Sequence, residues 1–179
     1  MKKMNSSVKS IIVLVSICLI IALAMAAVNM ITAPKIEKAT AEAEEAALSE
    51  VLCENGGFEK VELDTKPESV REVYRDLDGE GWVALLSVKG YDASNPMSVA
   101  VGFTNEGEIV KCHVISASGE TSGIGSKVTG EDFLSQFSTK NSELDGVDAI
   151  SGATISSSAF IDAVRESFDA INKAQEVEK

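Results

Sequence analysis

Histidine occurs once, and the three cysteines include no CxxC pair. The chain therefore lacks the clustered nitrogen and sulfur ligands of a zinc site. Basic residues are scarce as well: 16 Lys and Arg stand against 28 Asp and Glu. Lys2, Lys3 and Lys9 are the only charged side chains of the first 34 residues, which leaves 13 basic against 28 acidic in residues 35–179, a balance of −15. That deficit excludes a nucleic-acid binder, whose affinity rests on basic contacts to phosphate. It also argues against a domain lying flat on anionic lipid. No Walker spacing and no Gly-x-Gly-x-x-Gly fingerprint occurs. No Ser/His/Asp constellation can be assembled, and His113, in an apparent strand, reads as a packed or surface imidazole. Acidic pairs such as Glu44-Glu45 read as solvated helix faces. No internal repeat or low-complexity tract is present. Cys53 and Cys112 are far apart, and spacing alone leaves open whether they pair or stay as packed free thiols.

What is present begins with a run from Ile11 to Ile31 that carries no charge. At about 1.5 Å per residue, 21 residues cross a bilayer core of about 30 Å. A cleavable signal is the competing reading, because Ala22-Leu23-Ala24 and Ala24-Met25-Ala26 resemble small-residue cleavage sites. The run continues through Val28, Met30 and Ile31, longer than a usual signal core, which favours a retained anchor. Cys18 is no lipoprotein cysteine, since apolar sequence continues past it. Basic residues before the span and acidic ones after it place the N-terminus in the cytoplasm and the rest outside. Pro34 marks the expected exit from the membrane helix. Lys35 to Leu52 is rich in helix formers, with a weak apolar stripe at Ile36, Ala39, Ala43, Ala47 and Val51, and Gly56-Gly57 should end it. The expected organisation is a cytoplasmic segment 1–10, a transmembrane helix 11–31, a helical linker 32–55 and a domain 56–179.

Within that domain, Phe58–Leu63, Val70–Leu77, Trp82–Val88, Met97–Phe103 and Ile109–Ile115 read as strands. Asp76-Leu77-Asp78-Gly79 and Asn105-Glu106-Gly107 carry turn chemistry. Val128–Phe137 reads as a short helix, Asn141–Gly146 as a loop and Val147–Ile150 as a last strand. Phe160, Ile161, Val164, Phe168 and Ile171 recur at helical spacing with polar residues between them. The expected class is α+β, a mostly antiparallel sheet with flanking helices, and the roughly 145 residues of 35–179 are enough for a sizeable core.

The segment Asp148-Ala149-Ile150-Ser151-Gly152-Ala153-Thr154, followed by Ile155 and three serines, sits where a loop enters that helix. The serines are N-cap candidates. A helix start offers free N–H groups and the positive end of the dipole, and so favours phosphate. Gly152 and Ala153 allow close approach to the backbone, with the Thr154 hydroxyl beside it. Taken alone, this is also what an ordinary Ser-rich helix start looks like.

Asp-x-x-Ser-Gly-Ala-Thr resembles the flavinylation motif of the FMN-binding domain family. That family is found in the G subunit of the Rnf ion-translocating electron-transport complex, and a similar domain occurs in the C subunit of the sodium-translocating NADH:quinone oxidoreductase. The resemblance implies that a flavin transferase joins the phosphate of FMN to Thr154 as a phosphoester, with Asp148, Ser151, Gly152 and Ala153 completing the motif. Glu120-Thr121-Ser122-Gly123-Ile124-Gly125-Ser126-Lys127 resembles the Glu-Thr-Pro-Gly-Leu-Gly loop of the same family, which lies against the flavin. It implies that Glu120, Thr121, Gly123, Ile124 and Gly125 neighbour the cofactor. Ser122 stands for the proline and frees a backbone angle. Ile124 stands for the leucine and keeps an apolar side chain, and Lys127 is placed to neutralise phosphate or ring charge. Gly90-Tyr91 is similar to a family Gly-Tyr, but Asp92-Ala93-Ser94-Asn95-Pro96 follows where the family has glycines, so Tyr91 is a weaker flavin neighbour.

The implied function is an electron-carrying flavoprotein, with no catalytic residue of its own and no metal. It would be a membrane component of an Rnf-type ferredoxin:NAD oxidoreductase, with the other membrane subunits and the flavin transferase as partners. The flavin domain would face the extracytoplasmic side. The alternatives are a stand-alone extracytoplasmic flavoprotein, a quinone-reductase subunit, or a non-redox binding ectodomain. The last needs no hydroxyl at position 154.

Overall fold

The computed structural model describes residues 6–52, 57–79 and 81–177. The chain divides into two compact units, Met1–Glu42 and Ala43–Lys179. The first helix, α1, runs Ser6–Val51 and includes Pro34 in its interior. Its apolar stretch reaches a mean hydropathy of 3.2 with none of that window buried, so it is long and apolar enough to cross a membrane once. Pro34, the expected exit from the membrane span, lies within one continuous helix that also contains the expected linker helix. Proline's fixed φ suits a helix, and what is lost is one N–H bond and some steric ease, about 3 kcal/mol. The run of Ala, Glu and Lys after it restores helical preference.

Of the apolar stripe expected in the second half of α1, Ala47 and Val51 are buried, joined by Leu48 and Leu52, while Ile36, Ala39 and Ala43 are exposed. The buried four sit on a sheet of five strands: β1 Phe58–Val61, β2 Val70–Asp76, β3 Gly81–Val88, β4 Met97–Thr104 and β5 Ile109–Ser116. The sheet order is β1-β2-β3-β4-β5 with every neighbouring pair antiparallel, a simple meander. The five strands match the expected ones to within two residues at each end. Asp76 and Gly79 close one hairpin, the Gly79 N–H donating to the Asp76 carbonyl (3.0 Å). Gly107 closes another on Thr104 (3.1 Å).

Alternation along the central strands sends successive side chains to opposite faces. Val83, Leu85 and Ala100 meet the end of α1 on one face. Ala84, Leu86, Val99, Val101 and Phe103 meet the last helix, α3 (Thr154–Val177), on the other. With both faces covered, β3 is buried at seven of its eight positions. Phe160, Val164, Phe168 and Ile171 of α3 are buried as the spacing implied, whereas Ile161 is only partly covered. Glu44 is not a freely solvated face residue: it pairs with Arg71 at 2.6 Å and keeps 16% of its side chain exposed.

The expected helix 128–137 is three short pieces: a 3-10 turn Gly125–Thr129, α2 Glu131–Leu134, and a 3-10 turn Ser135–Phe137. Gly130, in extended geometry, separates the first two. Phe133 and Phe137 from this segment pack against Phe160. Val147–Ile150 forms no strand. Its amides are taken locally: Val147 donates to the Leu144 carbonyl (3.2 Å), Asp148 to Gln136 Oε1 (2.8 Å) and Ile150 to Ser157 Oγ (3.0 Å). Three of its four amides are thus committed outside the sheet. Cys112 is buried, and burial pushes its thiol pKa up. Cys53, its suggested partner, and Gly56, the suggested helix stop, lie outside the described residues.

Candidate functional site

The site is built at the start of α3. Thr154 is its first residue and is exposed, so Ser156 to Ser158 lie inside the helix and not ahead of it as caps. Ser157 has a different task. Its hydroxyl donates to the Ala153 carbonyl (2.9 Å) and accepts the Ile150 N–H (3.0 Å), stapling the incoming loop to the first turn. The Ala153 N–H donates to the Ile150 carbonyl (3.0 Å), tightening that loop further. Gly152 has φ +82°, a left-handed geometry that a β-carbon disfavours. The turn therefore delivers Thr154 to the helix start, where the first amides have no intrahelical acceptor and the dipole is positive.

Facing it is the loop before the first 3-10 turn. The Ile124 and Ser126 amides both donate to the Thr121 carbonyl (3.1 Å each), and the Gly123 amide donates to Ser126 Oγ (2.9 Å). These bonds hold the loop in a tight coil without a proline at position 122.

Between the two lies an open cleft of about 450 Å³, within the size range of small-molecule sites. One wall is Gly152 to Ser156, the other is Thr121, Ile124 and Gly125, and Tyr91 from the β3–β4 connection completes it. Tyr91, Ile124 and Ile155 are 67%, 50% and 61% exposed, so the cleft presents apolar surface to solvent. None of its lining residues carries a charge.

Of the residues singled out from sequence, the structure brings Tyr91, Thr121, Ile124, Gly125, Gly152, Ala153 and Thr154 to one cleft. The others stand around it. Asp148, Ser151 and Gly123 are exposed on its approaches. Lys127 lines an adjoining hollow with Asp132, Gln136 and Ile150. Glu120 is buried and accepts hydrogen bonds from the Tyr91 amide (3.1 Å) and the Ser156 hydroxyl. Sequence reasoning missed Ile155 and Ser156. An apolar residue beside the threonine, off the helix's core-facing stripe, was the available signal for Ile155.

The arrangement fits FMN by its own chemistry. A hydroxyl at a helix start suits a phosphoryl group, and exposed apolar side chains beside it suit a flat aromatic ring. Comparison with known proteins agrees. Residues 90–169 match the FMN-binding domain family, a span that contains every residue lining the cleft. The whole chain is similar to the G subunit of the ion-translocating oxidoreductase complex of Methanosarcina acetivorans, 29% identical over 182 aligned positions that cover 94% of this chain and 95% of that protein.

Proposed function

We propose that this chain, whose residues 90–169 form an FMN-binding domain, is the membrane-anchored flavoprotein subunit of an ion-translocating oxidoreductase complex. In this reading FMN is held through a phosphoester to Thr154 Oγ1. The observation that carries it is the position of Thr154: first residue of α3, exposed, and lining the cleft. FMN supplies the redox chemistry when bound, and the protein supplies attachment, orientation and shielding.

Each residue's part follows from its place. Thr154 would provide the ester oxygen, and the first-turn amides and helix dipole would stabilise the remaining negative charge on the phosphoryl oxygens. Ile124, Ile155 and Tyr91 would shield a bound flavin ring from water. The uncharged lining supports a covalent link in particular. With no Lys or Arg in the cleft, ionic attraction for a free phosphate monoester is weak, and an ester bond replaces it. On the outer side of a membrane, where a released cofactor is lost, that bond has a clear use.

The two-sided coverage of the match, 94% and 95%, favours a complex subunit over a free-standing flavoprotein. We assign it a place as one relay between the other membrane subunits, in a complex that moves electrons between reduced ferredoxin and NAD. The uncharged span in α1 offers no ion path, so translocation belongs to those partners. Lys2, Lys3 and Lys9 before the span orient the N-terminus to the cytoplasm.

The test is intact mass and in-gel flavin fluorescence of the full chain co-produced with a flavin transferase. The mass should rise by one FMN less water. Thr154→Ala should abolish both the mass increase and the fluorescence, without loss of fold, because the side chain is exposed. Equal fluorescence in that variant overturns the assignment.

A further inference from the structure

We propose that Glu120 is the positioning residue of this cleft: its buried side chain ties together the three segments that form the walls, without entering the cleft itself. The proposal rests on the flavin reading only for its consequence, not for its geometry.

Glu120 is 9% exposed and is absent from the cleft's lining. Oε1 accepts the Tyr91 N–H at 3.1 Å, 29 residues away. Oε2 accepts the Ser156 hydroxyl, 36 residues away. Tyr91 and Ser156 each line the cleft, and Glu120 itself leads into Thr121, which lines it too. One side chain therefore joins the β3–β4 connection, the Thr121–Gly125 loop and the first turn of α3.

The backbone around it is shaped to admit the carboxyl. A β-carbon on Gly90 would overlap Oε1, and one on Gly125 would overlap Oε2. Neither glycine has a positive φ, so the room they leave, and not their conformational freedom, is what the site uses. Among the described residues Glu120 makes no ion pair. A carboxyl group buried without a cation is costly unless its oxygens are hydrogen-bonded. Both oxygens here are, each by a donor from a different wall.

The consequence concerns orientation. Ser156 lies two residues after Thr154, so the clasp fixes the attachment point relative to Tyr91 and Ile124. Attachment needs only the Thr154 hydroxyl. Holding the ring between the walls needs the walls at their set spacing. Loss of the clasp should leave the ester and free the ring. The β3–β4 connection keeps a second anchor, Asn95 Nδ2 donating to Ser118 Oγ (3.2 Å), so the change stays local.

The experiment compares Glu120→Ala, Glu120→Gln and Ser156→Ala in the full chain. Glutamine can keep both bonds, its oxygen accepting from Tyr91 and its amide donating to a turned Ser156 hydroxyl. Ser156→Ala removes one arm and guards against a misfolded Glu120→Ala. Amide hydrogen exchange is read first in unflavinylated protein carrying Thr154→Ala. Exchange at Tyr91 should quicken by several-fold to about tenfold in Glu120→Ala, as loss of one hydrogen bond implies, and stay near the parent rate in Glu120→Gln. Unchanged exchange at Tyr91 in Glu120→Ala overturns the clasp. In flavinylated protein, Glu120→Ala and Ser156→Ala should both carry a full FMN mass, yet show lower flavin anisotropy and readier quenching by iodide, with Glu120→Gln restoring both. Parent-like anisotropy and quenching in both variants overturn the role in orientation. If the parent chain takes up no FMN, the proposed function fails while the exchange result still decides the clasp.

Discussion

Phe160→Ala is the most informative test of how α3 is held, because Phe160 follows Thr154 by less than two helical turns. Phe160 is wholly buried. It meets Phe133 edge-on, with centroids 5.4 Å apart at 74°, and Phe137 at 5.3 Å and 52°. Truncating a buried phenylalanine costs about 3–5 kcal/mol, from lost transfer energy plus the cavity left behind. Each aromatic pair contributes about 0.5–1.5 kcal/mol of that. The short pieces that supply Phe133 and Phe137 have little regular structure of their own and can partly close on the gap, so the lower half of the range applies. For a domain of this size the melting temperature should fall by roughly 10–20 °C. Phe160→Leu, which keeps most of the volume, should lose about 1–2 kcal/mol. The assay is urea unfolding of the full chain in detergent, followed by the fluorescence of Trp82. Trp82 is the sole tryptophan, 5% exposed and in the same core. A loss below about 1 kcal/mol for Phe160→Ala, or equal losses for Ala and Leu, would refute the idea that this ring cluster anchors the site helix.

Gly152→Ala should destabilise by about 1–2 kcal/mol, because φ is +82° there while a β-carbon meets open space; Gly152→Asn should cost less, and urea midpoints of the two variants check the order. Glu50, near the end of α1, lies 3.0 Å from Lys111 Nζ and 3.0 Å from His113 Nδ1. Its carboxyl pKa is lowered, first by the Lys111 hydrogen bond; desolvation, the next largest effect, opposes this, and electrostatic attraction to His113 and Lys111 adds to the lowering. A lowered folded pKa gives stability that is present above the unfolded value of 4.5 and is lost as pH falls through the folded one. Both partners are substantially exposed, so screening holds the gain to about 0.2–1 kcal/mol. The parent should thus exceed Glu50→Gln in urea midpoint at pH 6, and the gap should close as pH falls through the lowered carboxyl value and shrink in high salt; a gap that widens on acidification contradicts the pairing.

The fold was largely readable because its signals are local. Strand and turn residues alternate in short runs, and a meander needs no long crossover to be guessed. The failures are also local in cause. Val147–Ile150 looks like a strand, yet Gln136 and Ser157, outside that run, take two of its amides. Glu44 looks solvated until Arg71 is brought to it across 27 residues of sequence.

By itself the sequence determined the apolar span, the acidic domain, the class of fold and the threonine motif, since each depends on spacing within a few residues. Only the tertiary structure decided that Tyr91, Ile124 and Ile155 share one cleft, and that Lys127 lies on the adjoining hollow. It alone showed that Glu120 stands behind the walls and not between them. These facts depend on how the β3–β4 connection, the Thr121–Gly125 loop and the start of α3 are brought together by a sheet packed on both faces. Side-chain direction at such a junction is set by packing and hydrogen bonds between distant segments, and local sequence does not encode it.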